Sequence, residues 1–152
     1  MRVETKWAAI PTFIILLWMF VAQALGFFTT EKFATGQLIG IVVSTLTFAV
    51  TYYMLTKEKR DKDYNGVMSW SEGFWAAARM TLIYIPISCF VFYIYIQYLN
   101  PGYKALIASS DFSKDPVNNY LMGNLLSSFV FGGLFCLIFP LFTRRGLTGK
   151  KV

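Results

Sequence analysis

Histidine is absent from the 152 residues, and cysteine occurs only as Cys89 and Cys136, both inside apolar runs. Without histidine the commonest general base and metal ligand is missing. The two thiols form no CxxC motif, and buried thiols of this kind usually act as small packing residues. Charge is scarce too: Asp, Glu, Lys and Arg make up 14% of the chain, against about 25% in an ordinary soluble domain. No Walker A loop, HExxH or GxSxG occurs, so the common catalytic signatures are missing. Together these gaps exclude a soluble enzyme, a disordered chain and a secreted disulfide scaffold. The expectation is a protein that is not an enzyme, with no cofactor and no metal site.

What fills the chain instead is apolar. Hydrophobic residues make up 56% and aromatics 18%, with a mean hydropathy of +0.51. One domain of this length could not bury so much apolar surface in water. A bilayer core about 30 Å thick needs about 20 apolar residues in a helix. Four stretches meet that length, at about 7–28, 33–55, 70–99 (its apolar part from Met80) and 120–142. No Lys, Arg, Asp or Glu interrupts them, apart from Glu72 and Arg79 before Met80. Helices are expected, because lipid offers no partner to an unsatisfied backbone group. The fold class is therefore all-α: one integral-membrane four-helix bundle over 1–152, with an external loop at 100–119.

Ala22-Gln23-Ala24 resembles a signal-peptidase site after a basic start at Arg2 and Lys6. The apolar run continues past it to Phe28, and Pro11 and Trp18 break a simple leucine-type core. The first stretch is expected to be retained as a span. Charge then sets the orientation. Arg2 and Lys6, Lys57, Lys59, Arg60 and Lys62, and Arg144, Arg145, Lys150 and Lys151 fall on one side. Only Lys32, Lys104 and Lys114 fall on the other. The positive-inside bias places both termini in the cytoplasm. The net charge of +6 then faces anionic lipid, and no nucleic-acid partner is expected. Trp7, Tyr52, Tyr53, Trp70 and Trp75 would form one interfacial belt, and Tyr98, Tyr103 and Tyr120 the other.

Local signals add detail. Ser69-Trp70-Ser71-Glu72 fits a capping box that starts the third helix. Asn100-Pro101-Gly102 is expected to end that helix, and Pro86 to kink it or loosen its hydrogen bonding. Residues 103–110 are read as a short interfacial helix.

Small residues recur every four positions. Gly36, Gly40 and Ser44 form one ladder, Ser128, Gly132 and Cys136 another, and Gly73 and Ala77 a shorter pair. Such ladders let helices approach closely, either inside one bundle or against another chain. Glu72 and Arg79 share a face of the third helix. Glu72 is explained by the capping box, and Arg79 by snorkelling to lipid phosphates. Gln97, Tyr98, Asn100, Asn118, Asn119 and Asn124 gather towards the external ends. There they either bind a headgroup or simply end the spans in wet surroundings. Gln97 and Asn124, with Glu72 and Arg79, are the candidate polar contacts. No carboxylate lies near mid-membrane, where a proton-coupled transporter normally places one.

The stretch 36–87 resembles the bacterial membrane family catalogued as domain of unknown function 4199. Gly36-Gln37-Leu38-Ile39-Gly40, Asn65-Gly66, and Met68-Ser69-Trp70 with Phe74 stand where that family has its second span, charged loop and third-helix start. Tyr93, Tyr95 and Tyr98 before Asn100-Pro101 are similar to its aromatic exit. Asp115-Pro116, and Phe139-Pro140-Leu141 through Arg144-Arg145, resemble its last helix. The external loop looks shorter than usual, and the last span lacks a Glu common among members. The resemblance implies four spans in a bacterial inner membrane and supplies no activity or catalytic residue. The leading expectation is an accessory or structural subunit that self-associates or binds other membrane proteins. The alternative is a small transporter or channel for a polar or lipid-like molecule.

Overall fold

The computed structural model describes residues 3–29, 31–110 and 115–144. Arg2, Lys114, Arg145, Lys150 and Lys151, which enter the orientation argument, lie outside the described residues. Among the described residues five α-helices make the fold: α1 (Val3–Ala24), α2 (Phe33–Asp63), α3 (Trp70–Ile94), α4 (Pro101–Ser110) and α5 (Pro116–Thr143). α3 runs on through a π-helical turn, Tyr95–Leu99. Four of these helices are long and apolar enough to cross a membrane, the third including that turn.

Local chemistry sets the ends. α1 stops at Ala24, not at Phe28 as its apolar run suggests. Gly26 takes a left-handed φ of 72°. Its N–H reaches the Gln23 carbonyl and the Phe27 N–H the Ala22 carbonyl, the paired bonds of a Schellman cap. The capping box of α3 forms: Ser69 Oγ accepts from the Glu72 N–H, and Glu72 Oε2 accepts from the Ser69 N–H at 2.8 Å. Asn100 both ends α3 and starts α4, since its Oδ1 accepts from the Tyr103 N–H at 2.9 Å. Half of the expected 100–119 external loop is therefore the helix α4. Asp115 opens α5 by accepting from the Asn118 N–H, four residues before the expected span. α3 stays helical through Pro86; its irregularity lies further on, in the π-turn.

α3 packs on α5 and α1, and α2 packs on α1 and α5, with a lesser contact between α2 and α3. The four long helices thus close a ring with α1 and α5 at opposite corners. Lys59 of α2 reaches Glu4 of α1 at 2.8 Å, and the Trp70 indole N–H of α3 donates to the Leu137 carbonyl of α5 at 3.1 Å. These contacts gather the start of α1, the end of α2, the start of α3 and the end of α5 at one charged end. α4 lies at the other.

Side chains divide accordingly. One buried cluster joins Tyr52, Leu55, Ala77, Met80 and Tyr84. A second, near α4, joins Phe92, Tyr95, Ile96, Tyr103 and Ile107. Tyr52 and Tyr103 therefore belong to the core and not to the interfacial belts, whereas Tyr53, Trp75 and Tyr98 do face outward. Tyr52 turns inward because its hydroxyl shares a hydrogen bond with Thr81. Phe13, Leu38, Leu82, Phe90, Leu126 and Phe142 point away from the bundle, each more than 60% exposed. Apolar surface this extensive, spread over all four long helices, suits hydrocarbon and not water.

Candidate functional site

Towards the α4 end, α2 and α5 do not close on each other. A cleft of about 580 Å³ lies between them, backed by α1 and α3. Small residues make the space: Gly36, Gly40 and Ser44 on α2, and Gly123, Ser127 and Ser128 on α5. Aromatic rings bound it. Its floor is Phe48, Tyr84 and Phe135, with Phe48 edge-on to Tyr84 at 5.0 Å. Its roof is the hydrogen bond, 2.7 Å long, shared by the Tyr103 and Tyr120 hydroxyls. Burial, and then the nearby Tyr120, push the Tyr103 phenol well above its ordinary value of 10.0.

The lining is apolar with a few polar groups and contains no Lys, Arg, Asp or Glu. Ser44 and Ser127 spend their hydroxyls on the carbonyls of Ile41 and Asn124. Among the described residues, the side-chain amides of Gln37 and Asn124 and the indole N–H of Trp18 have no hydrogen-bond partner. Free donors and acceptors in an otherwise apolar cleft can fix the orientation of a guest.

The other candidate residues meet neighbours in the same chain. A Cβ on Gly36 would fall 2.8 Å from Phe27 Cβ, and one on Gly40 3.2 Å from Trp18 Nε1. On Gly73 it would fall 2.9 Å from Pro140 Cβ. On Gly132 it would fall 2.7 Å from Thr81 Cγ2 and 3.2 Å from the Tyr52 hydroxyl. Ala77 is fully buried, its carbonyl accepting from Thr81 Oγ1. Cys136 Sγ lies 3.5 Å from the same hydroxyl. Ser128 lines the cleft. Glu72 serves the α3 cap and does not reach Arg79, which is exposed and in no ion pair among the described residues. Gln97 accepts from Lys104 Nζ at 2.7 Å, outside the cleft. Among the described residues no group of Cys, Asp and Glu could hold a metal ion.

Three features escaped the sequence reading. Trp18 becomes a cleft wall because α1 passes behind α2. Near α4, the Tyr95 hydroxyl donates to Gln23 Oε1 at 3.0 Å and accepts from Asn100 Nδ2 at 2.9 Å. At the charged end, Glu58 accepts from Lys6 at 2.8 Å, Trp7 at 2.7 Å and Lys62 at 2.7 Å. There too, the Arg60 guanidinium donates to the Thr143 carbonyl at 3.1 Å. The i,i+4 pairs Glu58–Lys62 and Lys59–Asp63 were visible as spacing. Their reach to α1 needed the fold.

A bundle of four apolar helices around a side cleft, with most of its described charges at one end, defines a four-span helical membrane protein. The chain belongs to the family described as protein of unknown function (DUF4199), whose model matches residues 6–145. No curated protein and no solved structure matches it.

Proposed function

We propose that the protein receives a lipid-like molecule from the bilayer in the cleft between α2 and α5. The observation that carries this reading is the cleft itself. A side-opening recess of about 580 Å³ between two spans is within the size range of small-molecule sites. Its opening faces the hydrocarbon, so a membrane component fills it. The reading departs from the leading expectation of an accessory subunit; from the alternative, a transporter or channel, it takes only the lipid-like molecule and seats it sideways, within the plane of the bilayer.

Native mass spectrometry after mild solubilisation tests it. The wild-type chain retains a bound amphiphile, and Ser128→Phe, which fills the cleft, loses it. Equal retention by both proteins would defeat the reading.

The charged end collects Lys6, Lys57, Lys59, Arg60, Lys62 and Arg144, against Lys32 and Lys104 at the other end. This supports a cytoplasmic charged end in a bacterial inner membrane. Self-association, or an accessory role beside another membrane protein, is the competing reading. It draws less support from the small-residue ladders, because Gly36, Gly73 and Gly132 already press on their own chain.

A further inference from the structure

The cleft is graded along its length. On α2 the lining runs from Gln37 through Ile41 to Phe48, and on α5 from Asn124 through Ser128 to Phe135. Both rows carry an amide near α4, hydroxyls at mid-length (Ser44 and Thr45 on α2, Ser127 and Ser128 on α5) and a phenyl ring at the far end. Gln37 to Phe48 spans about 16 Å at 1.5 Å per residue. One end suits a hydrogen-bonding head and the other a hydrocarbon tail.

Charge decides what kind of head. An anion or cation brought here would lose its water and find no counter-charge, which is costly in a low-dielectric site. The described cations at this end are Lys32 and Lys104. Neither lines the cleft, and Lys104 is held by Gln97. The free groups are instead neutral: two amides, which both donate and accept, one indole donor, and the Thr45 and Ser128 hydroxyls deeper in the cleft. They match a hydroxyl, ester or ketone oxygen. The volume suits one molecule of drug-like size, smaller than a diacyl phospholipid.

We infer that the guest is an uncharged amphiphile with a single apolar tail. Its oxygen-bearing head is held by Gln37, Asn124 and Trp18 beneath the Tyr103–Tyr120 roof. This rests on the reading of the cleft as a lipid-like site and adds the class of guest.

Fluorescence tests both statements separately. Two probes carry the same tail, brominated close to the head: a monoacylglycerol, which is uncharged, and a lysophosphatidylglycerol, which is anionic. Trp18 lies in the cleft wall, so the component of tryptophan quenching lost in Trp18→Phe reports occupancy. The monoacylglycerol gives saturable quenching of that component, and the anionic probe binds at least about tenfold more weakly. Combining Gln37→Leu with Asn124→Leu weakens the monoacylglycerol by about tenfold, the loss expected from two neutral hydrogen bonds. Competition between the probes on the unmodified chain in native mass spectrometry gives the same ranking without any substitution. Equal binding of the two probes, or no effect of the double substitution, would overturn the head assignment and leave the cleft a lipid-like site. Absence of saturable Trp18 quenching by either probe would overturn both.

Discussion

Gly132 and Gly133 are neighbours on α5 with opposite surroundings. A methyl group on Gly132 would press into Thr81 and the Tyr52 hydroxyl, whereas one on Gly133 would meet nothing within 4 Å. Gly132→Ala is expected to lower stability by about 1–3 kcal/mol through overpacking. Gly133→Ala is expected to raise it by up to about 1 kcal/mol, because alanine is the better helix former. Thermal unfolding in detergent compares the two, and equal shifts would mean that α5 does not press on α3 as described. Tyr103 gives a test in pH. Its phenol is held neutral above the ordinary value of 10.0, so its contribution is whole below pH 10 and fades as the pH climbs from there. The wild-type chain should lose stability above about pH 10 more steeply than Tyr103→Phe, followed by denaturation midpoints across the alkaline range. At this scale the sequence told half the story. The four-residue spacing singled out Gly132 over Gly133, together with Cys136, but nothing local assigned Tyr103 to the core. Burial is settled by which helix lies opposite.

Elements were more legible than their junctions. The lengths of apolar runs located all four long helices, and Ser69 with Glu72 fixed the start of α3 because a capping box is a local bond pattern. Ends were harder where one signal serves two purposes. Asn100-Pro101 stops one helix and begins another, since proline is well suited to a first helical position. Phe27 and Phe28 are as apolar as a span, yet Gly26 turns them off α1 and back against Gly36 and Tyr103. α2 illustrates how charge extends a helix beyond its apolar part. Its last turns hold Glu58, which ties α2 to α1 through Lys6 and Trp7. Glu58→Gln should therefore weaken the α1–α2 junction by about 1 kcal/mol, a modest figure because the partners Lys6 and Lys62 stay exposed although Glu58 is largely covered. The loss, read as a thermal midpoint against wild type, should shrink in high salt as the ion pairs are screened. A salt-independent loss would point to packing instead.

The whole molecule carries most of its described charge at one end and its cleft towards the other. The orientation proposed from this asymmetry can be read with an impermeant maleimide on intact cells. Cys89 and Cys136 lie within spans, so introduced thiols report alone. Lys57→Cys should label only after the cells are opened, and Lys104→Cys from outside; the reverse pattern would invert the topology. The bundle itself was legible in the sequence because scarce charge and 20-residue apolar runs leave few ways to satisfy a backbone in lipid. The cleft was not, because glycines and serines that usually draw helices together here stand beside an opening between α2 and α5. Below that opening, Tyr52 stacks on Phe139 at 6.3 Å and meets Phe135 at 5.4 Å, closing the middle of the ring. That aromatic plug makes the recess a dead end. The recess therefore opens on the flank of the bundle and does not run through its depth.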